Sequence, residues 1–125
     1  MKIVFITPAS GLRRLPPYRW GGKVYGQPNS VTGPLILGGI CKRAEHEVEV
    51  YEELNGSSHL KRLLKDPSID LYCLSLLTSN APRGYQIADL VHQQTNARVI
   101  IGGIHATAMP EEALSHADQV ITGEG

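Results

Sequence analysis

Short apolar runs alternate along this chain with stretches whose apolar residues recur every three or four positions. Lys2–Ile6 is a short run closed by Pro8 and predicts a buried strand. In Gly33–Ala44, Leu37, Ile40, Cys41 and Ala44 fall at i, i+3, i+4 and i+7, which predicts a helix that buries this face. Val48–Tyr51 predicts a second strand. Ser58–Lys65 carries Leu60, Leu63 and Leu64 on one side, and Asp66-Pro67 stops it, because a proline pushes the preceding residue out of helical geometry. Asp70–Leu76, apolar almost throughout, predicts a third strand. A helix opens at Asn80 or Ala81 with Pro82 in its first turn, and Ile87, Leu90, Val91 and Gln94 line one side. Arg98–Ile101 predicts strand four, Pro110-Glu111-Glu112 a short helix with carboxylates at its positive end, and Gln119–Thr122 strand five.

The order βαβαβαβαβ is α/β. Strands apolar on both faces belong in a parallel sheet covered by helices on both sides. The expectation is one domain over residues 1–125: a flavodoxin-like, Rossmann-like, doubly wound five-stranded parallel sheet in the order 2-1-3-4-5, with its last helix missing. Two features depart from the regular pattern. About 25 residues, Thr7 to Thr32, separate strand one from its helix, where loops of roughly 2–6 residues are usual. Gly123-Glu124-Gly125 follows strand five with no helix to cover it, which predicts a piece of a longer polypeptide.

Composition narrows the function classes. The chain has 125 residues, and 12 Lys+Arg balance 12 Asp+Glu, so global charge draws it neither to nucleic acid nor to an anionic membrane. Cys41 and Cys73 are too few for a disulfide scaffold, a zinc site or an iron–sulfur cluster. Ile3–Ile6 is too short for a signal segment or a membrane span. These features predict a soluble cytoplasmic domain.

In open parallel sheets, ligands bind beyond the carboxyl ends of the strands. Here those ends carry Thr7-Pro8-Ala9-Ser10-Gly11, Ser75-Leu76-Leu77-Thr78-Ser79-Asn80, Gly102-Gly103-Ile104-His105-Ala106-Thr107 and Gly123-Glu124-Gly125. They are rich in glycine, hydroxyls and amide and poor in charge, which suits a bulky, largely neutral ligand. A phosphotransfer receiver would need clustered aspartates here, a dinucleotide site GxGxxG after strand one, and a nucleotide triphosphate site a P-loop; none is present. Each candidate keeps an alternative. Gly102-Gly103 admits a close ligand or makes a tight turn. Ser75 donates to a ligand or satisfies a neighbouring carbonyl. His105 contacts a ligand, binds a metal or is a loop histidine, while His46, His59, His92 and His116 are scattered. Gly38-Gly39 marks a close approach of sheet or ligand, or a packing notch. Glu111 and Glu112 stabilise a helix start.

Taken together, Leu74 to Gly125 resembles the cobalamin-binding domain found N-terminal to many radical S-adenosylmethionine enzymes. Gly102-Gly103-Ile104-His105-Ala106-Thr107, then Pro110-Glu111-Glu112-Ala113-Leu114 and Gly123-Glu124-Gly125 carry most of the likeness, and Gly33-Pro34-Leu35-Ile36-Leu37 extends it. The wider fold has DxHxxG after strand one, SxL after strand three and GG after strand four. Ser75-Leu76-Leu77 fits SxL and Gly102-Gly103 fits GG, but Ile6-Thr7-Pro8-Ala9-Ser10-Gly11 lacks the histidine. The resemblance implies cobalamin held with its own base off and no protein histidine on cobalt. Its contacts would be Thr7, Pro8, Ser75, Leu76, Leu77, Thr78, Gly102, Gly103, Ile104, His105, Thr107, Gly123 and Glu124. No catalytic residue and no metal ligand is implied in this chain. A 4Fe-4S cluster and S-adenosylmethionine are expected only in a C-terminal radical domain of the same polypeptide, whose commonest reaction in this family is methyl transfer.

Two readings from other classes compete. Arg13, Arg14, Arg19 and Lys23 interleave with Tyr18, Trp20 and Tyr25, and no acidic residue lies between Lys2 and Glu45. Loop 13–25 thus offers a surface for a partner or nucleic acid, or a contact loop for another domain or the corrin amides. A flavodoxin-like nucleotide or flavin site is the other reading, against which strand one lacks a compact phosphate-cradling run.

Overall fold

The computed structural model describes residues 1–10, 32–53 and 58–123. The apolar runs become β1 Lys2–Thr7, β2 Glu47–Glu52, β3 Leu71–Ser75, β4 Arg98–Gly102 and β5 Gln119–Val120. Helices α1 Thr32–Arg43, α2 Ser58–Leu64, α3 Ala81–Gln94, α4 Ile104–Ala108 and α5 Pro110–Leu114 connect them. All the strands pair in parallel, in the order β2-β1-β3-β4-β5, as the alternation of elements predicts. Loop 13–25, Gly11 and Glu124 lie outside the described residues.

The register decides which residues share a face, since paired residues point the same way. Val4, Ile6, Tyr72, Leu74, Val99 and Ile101 line one face and are all buried. Leu60, Leu63 and Leu64 of α2 and Ile87, Ala88 and Val91 of α3 close over them in one core cluster. The Tyr72 hydroxyl donates to the Leu63 carbonyl at 2.9 Å, so its polar end enters the core satisfied.

The opposite face is only partly covered. Helix α1 lies over β1 and β2, where a Cβ on Gly38 would stand 3.2 Å from Val48 Cγ1 and 3.3 Å from Val50 Cγ2. Gly38 is therefore a packing notch for the sheet, whereas Gly39 faces open space. This close approach turns α1 from its expected orientation. Pro34 and Gly38 are buried, while Leu37 and Ala44 are exposed and Ile40 stays 53% exposed. Farther along this face, Leu71, Cys73 and Ile100 are half-buried, so β3 and β4 alternate rather than being sealed on both sides.

Helix α4 is absent from the sequence pattern, which gives loop for Gly102–Thr107. Five residues are too few to show a 3.6-residue period. Gly103 enters it at φ 99°, the Thr107 N–H and hydroxyl both reach the Gly103 carbonyl at 3.0 Å, and Pro110 forces the chain out of helix at Met109 before α5 begins.

Candidate functional site

Three strand ends put their last residues side by side on the partly covered face. Ile6 pairs with Leu74, so Thr7 and Ser75 follow one position on, and Ser75 pairs with Gly102. Thr7 is 3% exposed, and its hydroxyl has no hydrogen-bond partner among the described residues. Glu52, paired with Thr7 in the register, likewise buries a carboxylate oxygen without a partner. A buried orphan hydroxyl costs about 1–3 kcal/mol, so this row is unfinished as it stands. Gly102 adds no side chain to it, and a Cβ there would meet only Ile121, its carbonyl oxygen at 3.6 Å and its Cβ at 3.9 Å. Deeper in the same face, burial first and Cys41 second push the Cys73 thiol up to about 12, so it stays protonated at neutral pH.

The loops around the row are fixed by buried polar groups. Asn80, 1% exposed, accepts from the Leu77 N–H at 2.8 Å and donates through Nδ2 to the Pro8 carbonyl at 3.1 Å. It thereby ties the loop after β3 to the loop after β1. Glu53 accepts from the Ala9 N–H at 3.1 Å and from Arg83 Nε at 3.1 and 3.0 Å and Nη2 at 2.6 Å. This bidentate pair clamps the end of β2 to α3, and Glu53 raises the Arg83 pKa further.

Gly103 serves the fold. At φ 99° a Cβ would lie 2.6 Å from the Leu76 carbonyl oxygen and 2.9 Å from its nitrogen. Leu76 donates its N–H to Gly102 O at 2.9 Å, accepts from the His105 N–H at 3.1 Å, and is itself buried in the core. Gly84 of α3 makes room for its side chain.

His105 also turns inward and is 8% exposed. Its Nδ1 lies 3.2 Å from Thr78 Oγ1 and its Nε2 3.2 Å from Glu112 Oε1. Tyr85 packs against it with ring centroids 6.0 Å apart and stacks on His116 at 4.4 Å. The hydrogen bond to His105, foremost, holds the Glu112 carboxyl below its usual range. Burial first, and the nearby Glu112 next, push the Tyr85 phenol up to about 12.

The remaining residues singled out in the sequence form the rim. Leu77, Ile104, Met109 and Ile121 are exposed apolar side chains around the strand ends, Ile104 at 71%. Thr78 is exposed, and Thr107 Oγ1 accepts from the Gly123 N–H at 3.0 Å, which ties α4 to the turn after β5. Of the residues expected at the edge, Ser75, Leu77, Thr78, Gly102, Ile104, Thr107 and Gly123 are exposed or half-buried there, while Thr7, Pro8, Leu76 and His105 are buried. Glu53, Arg83, Glu52 and Tyr85 are not evident as site residues in the sequence, and no local signal marks them; Asn80 is evident there as part of the edge loop after β3, and Glu112 as a helix-start carboxylate.

A cavity of about 850 Å³ lies at the opposite, amino edge among Leu64, Asp66, Asp70, Arg98 and Asp118. Its carboxylates are spent on Lys2, Ser68, the Lys2 and Val99 N–H groups and His92, so it offers less to a ligand than the unfinished row. Among the described residues no helix is long and apolar enough to cross a membrane, and no three metal-binding side chains converge.

Comparison with known proteins gives a matching family, described as the B12 binding domain, over residues 22–125. The chain is 32% identical over 81 residues to a bacteriochlorophyllide d C-8(2)-methyltransferase of Chlorobaculum tepidum. That match covers 64% of this chain and 17% of the methyltransferase, so the chain spans a small part of that relative's length. Among solved structures, it is similar to the response regulator TrrA of Thermotoga maritima in complex with Mg(2+)-BeF: TM-score 0.57, 14% identity, 98% of this chain and 85% of that one. A complex of the histidine kinase ThkA with TrrA matches at TM-score 0.57 and 15% identity, over 98% and 86%. At such identities the likeness to these structures shows the fold alone.

Proposed function

The chain belongs to the B12 binding domain family, and from that premise we propose that it holds cobalamin at the carboxyl edge of its sheet. The row Thr7–Ser75–Gly102 carries the reading: a buried hydroxyl without a partner, a half-buried hydroxyl and a side-chain-free gap on the partly covered face. The cofactor's nucleotide tail would enter along this row. Leu77, Thr78, Ile104, Thr107 and Gly123, with Met109 and Ile121, would border the corrin, and the exposed apolar side chains among them suit its broad ring.

The cofactor would be held with its own base off and with no protein histidine on cobalt. No histidine precedes His46 in the chain, and His105 commits both ring nitrogens to Thr78 and Glu112. When bound, cobalamin supplies a methyl group carried on cobalt. The residues of this chain bind, orient and shield it and have no catalytic step of their own. The likeness to a methyltransferase and the resemblance carried by Gly102–Leu114 support a radical S-adenosylmethionine methyltransferase as the parent, its 4Fe-4S cluster and S-adenosylmethionine held in a C-terminal domain.

Incubation with hydroxocobalamin or methylcobalamin, desalting and a visible spectrum test this reading. Retained colour with base-off absorption is expected. Gly102→Val should abolish retention while changing stability by no more than about 1 kcal/mol. A colourless wild-type protein overturns cobalamin binding, and a base-on spectrum overturns the coordination mode. A parent polypeptide without iron and sulfide after anaerobic purification overturns the radical-enzyme assignment.

A further inference from the structure

His105, on α4, joins the loop after β3 to α5 through both ring nitrogens, and its neighbours fix which nitrogen carries the proton. The Glu112 carboxylate, on α5, only accepts, so the Nε2 facing it at 3.2 Å carries the hydrogen. In the neutral ring Nδ1 is then an acceptor, and the Thr78 hydroxyl at 3.2 Å must donate to it. That leaves the Thr78 oxygen, on an exposed residue of the loop after β3, as an acceptor directed at the ligand edge. Protonation of the ring reverses this geometry: Nδ1–H donates to Oγ1, and the hydroxyl hydrogen must point outward.

We propose that Glu112, His105 and Thr78 form a hydrogen-bond relay in which His105 is a positioning residue, presenting the Thr78 oxygen as an acceptor for an amide N–H of the bound ligand. The inference rests on the cobalamin reading, since the corrin carries carboxamide side chains that supply such N–H groups. Ligand binding then weakens as the ring takes up its proton, because Nδ1–H occupies a lone pair of the Thr78 oxygen that the neutral ring leaves to the ligand.

The other groups around His105 are named so that their titration can be separated. On α3, Tyr85 packs against its ring, and its phenol stays protonated well above neutrality. His116, following α5, stacks on the far side of Tyr85 and pairs through Nδ1 with Asp89 of α3 at 2.8 Å. His116 is the competing titrating group, and it touches neither Thr78 nor the ligand edge in this arrangement.

The test is the affinity for methylcobalamin, measured by spectral titration from about pH 7.5 to about pH 5.5. The wild type should lose affinity toward the acid end of that range. His105→Gln, which keeps an amide in place of the ring but does not titrate, should remove the slope, and Thr78→Val should weaken binding and flatten the slope. His116→Gln should keep it. A slope that persists in His105→Gln, or a Thr78→Val profile identical to wild type, overturns the relay while leaving cobalamin binding intact. Absence of methylcobalamin binding by wild type at every pH overturns the cofactor reading and, with it, the ligand named here. A ligand-independent check is the ring tautomer from nitrogen-15 NMR. Nε2–H is expected at neutral pH, and Nδ1–H overturns the relay.

Discussion

The two faces of the sheet start from the same strands and end differently. Val4, Tyr72, Leu74, Val99 and Ile101 on one face are sealed under α2 and α3, while Leu71, Cys73 and Ile100 on the other remain half-buried and lead up to Thr7, Ser75 and Gly102. The sealed face spends its apolar area on stability. The other is less completely covered, and its end carries a hydroxyl and a carboxylate oxygen without a hydrogen-bond partner among the described residues. Adjacent glycines show the division at single-residue scale. Gly103 is required by the backbone of Leu76, whereas a Cβ on Gly102 would meet only ordinary contacts with Ile121.

The sharpest way to break the comparison is at these glycines. Gly103→Ala places a Cβ 2.6 Å from a carbonyl oxygen in a backbone region that only glycine adopts readily, and should cost about 4 kcal/mol in urea unfolding. Gly102→Ala should cost no more than about 1 kcal/mol, because its Cβ meets only ordinary contacts. Next come the strand cores. Ile101→Ala on the sealed face should lose about 3 kcal/mol and Ile100→Ala on the other about 1 kcal/mol, since half-exposed side chains leave smaller cavities. Equal losses would mean that both faces are equally packed.

Arg83→Ala leaves Glu53 buried without its bidentate partner and should cost about 2 kcal/mol, with faster amide exchange at Ala9. The smallest effect is acid sensitivity. The Asp118 carboxyl is depressed by the Val99 N–H first and His92 next, and Asp66 by Lys2 first and then Ser68. A carboxyl depressed in the folded state stabilises the fold above its unfolded value and loses that contribution as pH falls through the folded value. Melting temperature should therefore stay level down to about pH 5 and fall below about pH 4, and Asp118→Asn should shrink the fall.

Much of this architecture was legible in the sequence because parallel strands announce themselves by continuous apolar runs, and Pro8, Pro67 and Pro110 punctuate them. The edge loops followed from topology. The orientation of α1 did not: Leu37 and Ile40 have the helical spacing of a buried face, yet the missing Cβ of Gly38 lets the helix settle on Val48 and Val50 instead. Periodicity counts apolar positions and cannot weigh them against the closer approach that a glycine permits. The clamps were also hidden. Glu53 and Arg83 are 30 positions apart, and Asn80 and Pro8 are 72 apart, so no local pattern pairs them.

The sequence by itself determined the class, the strand order and the three strand ends that meet at the ligand edge, because each depends on hydrophobic period and on the rules of parallel connection. Only the tertiary structure decided how that edge is packed. Thr7 is buried with a hydroxyl unpaired among the described residues and Gly102 is half-buried beside Ile121, while Gly103, Leu76 and His105 brace the loops around them. The reason is geometric: successive residues at a strand end point to opposite faces, and which face stays open is set by where the helices pack.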